Sequence, residues 1–247
     1  MTKVCIADVI NNISLFSGMP EQEKNLLSQN SRIHYLPRGS LLFLQGDEMK
    51  FFHVVYSGAL QIFRETLDGH EITSDIAVPG DPLSLAEITD PKPVCKVSAR
   101  AVEDTIVIEI PMDWLRQNLK NFNHLMLKLF ARISHRLQKT SLEIERNSTM
   151  SASELIACFL HELCVVHDFD PRGFNLPYSK TLIASRLGME LETFSRSLHK
   201  LRQFGITVRG SYVSLFPNYL NKPEIIHGDN DNDKLPQKML DMNCVAD

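Results

Sequence analysis

Three side chains in the C-terminal third of this 247-residue sequence have the types and spacing needed to read a nucleic acid: Glu192, Ser195 and Arg196. Set three and four positions apart, they share one face wherever that segment is helical. On such a face an arginine donates two bonds to guanine O6 and N7, a carboxylate accepts from cytosine N4, and a serine hydroxyl does either. The same spacing also describes an i, i+4 surface ion pair between Glu192 and Arg196, and residue types alone leave both readings open. The chain carries a net charge of −4, yet residues 178–212 hold six basic side chains (Lys180, Arg186, Arg196, Lys200, Arg202, Arg209) against two acidic ones (Glu190, Glu192). A local excess of this kind fits an electrostatic footprint for DNA and fits a solvated face equally.

Other chemistries find no support. His161-Glu162-Leu163-Cys164-Val165 begins like the zinc protease motif HExxH but has valine where the second histidine belongs. The five cysteines (Cys5, Cys95, Cys158, Cys164, Cys244) are odd in number and scattered, with no CxxC pair. That pattern argues against a disulfide framework or a zinc ribbon and for a reducing cytoplasm. No GxxxxGKS loop and no nucleophile–base arrangement occurs, so no enzyme is expected. The apolar runs at 106–108 and 163–166 fall far short of the ~20 residues a membrane helix needs, and Met1–Cys5 opens no signal peptide. No membrane partner is expected.

The elements that must position the three readers divide the chain into four stretches, and the fold class is α+β. Residues 1–111 read as short strands separated by turns, among them Pro37-Arg38-Gly39, Ser57-Gly58, Asp68-Gly69 and Pro79-Gly80-Asp81. Close, even spacing of this kind predicts a closed or rolled antiparallel sheet. Residues 112–149 contain neither glycine nor proline and predict one long helix. Within it Leu119, Phe122, Met126, Leu129 and Ile133 step by three and four, which suits a dimer seam or a helix lying on its own core. Residues 150–220 predict a helix, a second helix capped by Ser179, a turn at Gly188, a third helix ending at Gly205, and a hairpin: the outline of a winged helix-turn-helix. Leu191, Phe194, Leu198 and Leu201 would form the buried side of the third helix. Residues 221–247, with Asp229-Asn230-Asp231-Asn232-Asp233, read as a disordered polar tail.

The stretch Ser179 to Val208, and within it Glu192-Thr193-Phe194-Ser195-Arg196, resembles the E-x-x-S-R motif of the Crp/Fnr superfamily of bacterial transcription regulators. The order of roll, long helix and winged helix agrees with it over residues ~14–216. Arg132 to Gln138 is similar to the branch that regulates dissimilatory nitrate respiration. The resemblance implies a cyclic-nucleotide-binding-like sensor domain and a homodimer that reads an inverted repeat with TTGAT-like half-sites. It further implies base reading by Glu192, Ser195 and Arg196, and RNA polymerase as a further partner. Lys180, Thr181, Lys200, Arg202 and Arg209 would contact phosphates. The effector pocket would include Ser84, Leu85, Glu87 and Cys95. Cyclic nucleotide members anchor the phosphate on an arginine, but here none occurs between Arg64 and Arg100, so cyclic AMP is not the expected effector. Lys92 or Lys96 would supply charge without the fork. A single N-terminal cysteine, Cys5, argues against an iron–sulfur cluster, while heme and a thiol sensor at Cys95 stay open. The alternative is a sensor module whose winged helix docks protein rather than DNA.

Overall fold

The computed structural model describes residues 5–66, 68–170 and 172–215, and the chain divides between Thr140 and Ser141 into two compact units. The expected tail at 221–247 lies outside the described residues.

The first unit is a roll of two four-stranded antiparallel sheets. β1 (Arg32–Leu36), β8 (Thr105–Pro111), β3 (Phe51–Ser57) and β6 (Pro82–Leu83) form one, in that order. β2 (Leu41–Phe43), β7 (Ser98–Ala101), β4 (Leu60–Glu65) and β5 (Glu71–Ala77) form the other. The inner core between them holds Leu36, Val55, Leu60, Ile62, Ala99 and Val107. Alternation along β3 and β8 sends Phe52, Val54, Ile108 and Ile110 to the outer face, where helices cover them. The N-terminal helices α1 (Ile6–Asn12) and α2 (Glu21–Gln29) contribute Val9, Ile10 and Leu27 to this outer core. β8 is therefore buried on both faces, which is why Thr105–Ile110 is nearly continuously apolar. Gly58, at φ +81, turns β3 into β4 where a Cβ would lie 2.5 Å from the Thr105 hydroxyl, too close for any side chain.

The single long helix predicted over 112–149 is instead two: α3 (Met112–Leu119) and α4 (Asn123–Thr149). The break needs neither glycine nor proline. Asn118, Asn121 and Asn123 crowd the junction, and asparagine readily leaves a helix for a turn. The turn drops Phe122 into the outer core against Trp114, with ring centroids 5.9 Å apart. The expected seam is corrected as well. Phe122 and Leu129 are buried in the chain's own core and Leu119 packs on that core, so they are not available to a partner. Met126 and Ile133 are open, at 46% and 48%, and continue a different stripe with Leu127, Phe130, Leu137 and Ile144. A step of three and four describes either stripe, and only the packing of α4 on the roll separates them.

The second unit contains the last turns of α4, α5 (Ala152–Val166), α6 (Lys180–Arg186), α7 (Leu191–Leu201) and a small antiparallel sheet. The sheet runs in the order β10 (Ile206–Arg209), β11 (Tyr212–Leu215), β9 (Phe174–Asn175). Ser151 and Glu154 close a capping box on α5, and Ser179 accepts from the Leu182 N–H to cap α6. Gly205, at φ +85, ends the short 3-10 turn Arg202–Phe204 that follows α7. Ile156, Leu160, Ile183, Phe194, Leu201 and Val213 are buried in this unit.

Candidate nucleic-acid interface

α7 is amphipathic: Phe194, Ser197, Leu198 and Leu201 are its buried residues. Leu191, expected among them, stands at the first position of the helix and is 43% exposed. The opposite face presents Glu192, Ser195 and Arg196, all exposed. The i, i+4 ion pair that the spacing allows does not form among the described residues. Arg196 Nη2 instead donates to Thr193 Oγ1 at 3.4 Å, which leaves the Glu192 carboxylate and most of the guanidinium fork open. His199 and Gln203 are also exposed, and His199 continues the same face at i+3 from Arg196. The spacing of seven from Glu192 to His199 is the sequence signal for this continuation.

The residues expected at phosphates lie on α6, at the end of α7 and on the hairpin of the same unit. Thr181 and Lys180 sit in the first turn of α6, Lys180 half-buried and Thr181 exposed. Lys200 and Arg202 are exposed at the end of α7, and Arg209 is exposed at the hairpin turn before Gly210. Arg186, counted in the same basic cluster, turns away, and its Nη2 donates to Glu143 Oε1 at 2.5 Å.

The candidate effector residues lie in the first unit. Ser84 takes the left-handed conformation at φ +65, and its hydroxyl donates to Met49 Sδ at 3.4 Å. Leu85 packs on the outer core, and Glu87 is buried in the 3-10 turn Ala86–Thr89. Arg116 of α3 pins that turn, donating to the carbonyls of Ile88 at 2.8 Å and Glu87 at 2.7 Å and to that of Asp90. Cys95 is buried, and burial, with Asp47 and Glu87 nearby, pushes its thiol up to about 11. A redox sensor needs an accessible thiolate, so this environment speaks against Cys95 in that role. Arg100 makes a bidentate pair with Glu71, at 2.9 and 2.6 Å, and stacks 4.5 Å over the Phe63 ring. Both of its terminal nitrogens are thus engaged by Glu71.

One polar cluster joins residues of β1, β3 and β8 that are far apart in sequence. Glu109, buried on the inner face of the roll, accepts from Arg32 Nε, from His34 Nδ1 at 2.8 Å and from His53 Nε2 at 3.4 Å. Burial would raise its pKa, but the hydrogen bonds from His53, His34 and Arg32 hold it down at about 2. Burial lowers the pKa of His53 against the pull of Glu109, and His53 Nδ1 has no partner. Among the described residues no group of three or more His, Cys, Asp or Glu side chains is placed to hold a metal ion.

Comparison with known proteins places this geometry. Residues 33–122 match the cyclic nucleotide-binding domain and residues 156–221 the Crp-like helix-turn-helix domain. The regulatory protein HlyX of Actinobacillus pleuropneumoniae is 29% identical over 182 residues, 72% of this chain and 75% of its own length. The fumarate and nitrate reduction regulatory protein of Escherichia coli K12 is 27% identical over 225 residues, 88% of this chain and 85% of its own. FixK2 of Bradyrhizobium japonicum superposes with a TM-score of 0.64 at 22% identity, covering 75% of this chain and 92% of that one, which speaks to the fold.

Proposed function

The chain belongs to the Crp/Fnr superfamily of DNA-binding transcription regulators, and from that premise we propose that it acts as a homodimer reading an inverted repeat of TTGAT-like half-sites. The observation that carries the reading is the open face of α7, where Glu192, Ser195 and Arg196 are exposed together and Arg196 is tethered to Thr193 rather than neutralised by Glu192. A helix that docked protein would not need a carboxylate, a hydroxyl and a guanidinium held free on one face. Thr181, Lys180, Lys200, Arg202 and Arg209 set the register on the phosphates. The stripe Met126, Phe130, Ile133, Leu137 joins two copies, because a reader of half-sites needs a twin across a twofold axis.

The reading extends to a regulator working in the cytoplasm with RNA polymerase as its second partner. No helix among the described residues is long and apolar enough to cross a membrane. Gating by a small molecule in the roll is part of the proposal, with cyclic AMP disfavoured because Arg100 is committed to Glu71. The deciding measurement is the affinity of the chain for a duplex carrying an inverted TTGAT repeat against a scrambled duplex of equal length, at one fixed salt concentration. Specific binding should exceed non-specific binding by at least ~10³, with two chains per duplex. Equal affinity for the two duplexes would refute the reading and favour the protein-docking alternative.

A further inference from the structure

We propose that Glu143 and Arg186 are a positioning pair that fixes the DNA-reading helices to the last turns of α4 and thereby sets the spacing between the two half-sites the dimer accepts. The inference rests on the dimeric, DNA-reading function proposed above.

The compact unit that contains α6 and α7 begins at Ser141, inside α4. The final residues of that helix, 141–149, are thus part of the reading unit rather than a tether leading to it. Two ion pairs hold them there. Arg186, at the C-terminal end of α6, donates from Nη2 to Glu143 Oε1 at 2.5 Å, and the two side chains are 16% and 31% exposed. Arg146 places Nη1 on Glu162 Oε1 of α5. Glu143 and Arg146 are three residues apart, so one flank of α4 grips both α5 and α6. Ile144, on the neighbouring flank, stays exposed.

The chemistry of Arg186 is informative. It is one of six cations in a segment proposed to meet DNA, yet its guanidinium is spent on a carboxylate of α4. A planar fork fixes direction as well as distance, which a lysine in its place would not do. Within the second unit, the docking of α6 on residues 141–149 sets how that end of α4 carries α7. One base pair of error at the second half-site is about 3.4 Å along the duplex axis and roughly 35° around it, so a small change in docking is read as a change of preferred spacer.

The test uses the full chain and a series of inverted TTGAT repeats identical except for spacers one base pair shorter than, equal to and one longer than the preferred length. Fluorescence anisotropy at fixed salt gives the affinity ratio between spacers for wild type, Glu143→Gln, Arg186→Gln and the double variant. Each single substitution should narrow the spacer preference about twofold to fivefold, the range of a partly exposed ion pair, while sedimentation still shows a dimer. The double variant should narrow it no further than either single one, since both remove the same interaction. An unchanged ratio in both single variants, or losses that add in the double, would overturn the proposal. A wild-type chain that binds every spacer no better than scrambled DNA would overturn the DNA-reading function itself, and the positioning pair with it.

Discussion

Arg196 and Arg202 stand close together on and just after α7 and should fail in opposite ways. On the proposed docking Arg196 aims its fork at base edges, so Arg196→Ala should weaken binding to the inverted repeat by roughly 1–3 kcal/mol per half-site and leave random DNA nearly unaffected. On the same docking Arg202 meets a phosphate, so Arg202→Ala should weaken all sequences alike and lower the salt slope by about one. Titrations on both duplexes over a salt series separate the two, and an interchange of the outcomes would mean that α7 is rotated from its proposed docking. The cluster around Glu109 makes a second prediction. His53 has a lowered pKa in the folded state, so the unfolded chain takes up its proton first and stability should fall as pH drops below 6.5. The contribution of Glu109, whose pKa is held at about 2 against an ordinary 4.5, is complete above 4.5 and is lost as pH falls towards 2. Thermal melts between pH 7 and 4 should show a loss of at most about 1.4 kcal/mol per pH unit from His53, which His53→Gln removes while the carboxylate part remains. A melt that is flat below pH 6.5 in the wild type would contradict the buried neutral imidazole.

On α4 two apolar stripes carry different duties. Leu129 belongs to the roll's outer core, so Leu129→Ala should cost roughly 2–5 kcal/mol of stability and leave self-association intact. Ile133 is half exposed on the other stripe, so Ile133→Glu should leave the melt of the roll unchanged and place two like charges across the twofold axis of the proposed dimer. Sedimentation should then give a monomer at micromolar concentration, with specific DNA binding lost. A surviving dimer would move the interface off this stripe, and a large loss of stability would mean that Ile133 belongs to the core after all.

For the whole molecule, the question is whether the roll answers to a cyclic nucleotide at all. Its strands and the turn at Ala86–Thr89 are in place, but the only arginine of β7, Arg100, is held by Glu71. A cyclic phosphate entering a largely apolar roll would be desolvated without a charge-assisted bidentate bond in return. Calorimetry should show cyclic AMP binding at millimolar strength or weaker, and DNA affinity should not change at physiological cyclic AMP. Micromolar binding with a matching rise in DNA affinity would point to Lys92 or Lys96 as an anchor.

The sequence by itself determined the features that neighbours along the chain encode. The turns at Ser57-Gly58 and Asp68-Gly69, the cap at Ser179, the stop at Gly205 and the shared face of Glu192, Ser195 and Arg196 all follow from spacing over a few residues. What depends on partners far apart in sequence was decided only by the tertiary structure. The two-residue β6 is too short to show a period, and it exists because it pairs with β3. The period of α4 fits two stripes equally, and contact with β3, β8 and the N-terminal helices selects which one is buried. Arg186 and Arg100 look like free cations until carboxylates 43 and 29 residues away claim them. His53 lies opposite Glu109 in the β3–β8 register, a contact that no local pattern announces. A helix or a turn is a property of consecutive residues, but the face a helix buries and the partner a charge finds are properties of the packed whole.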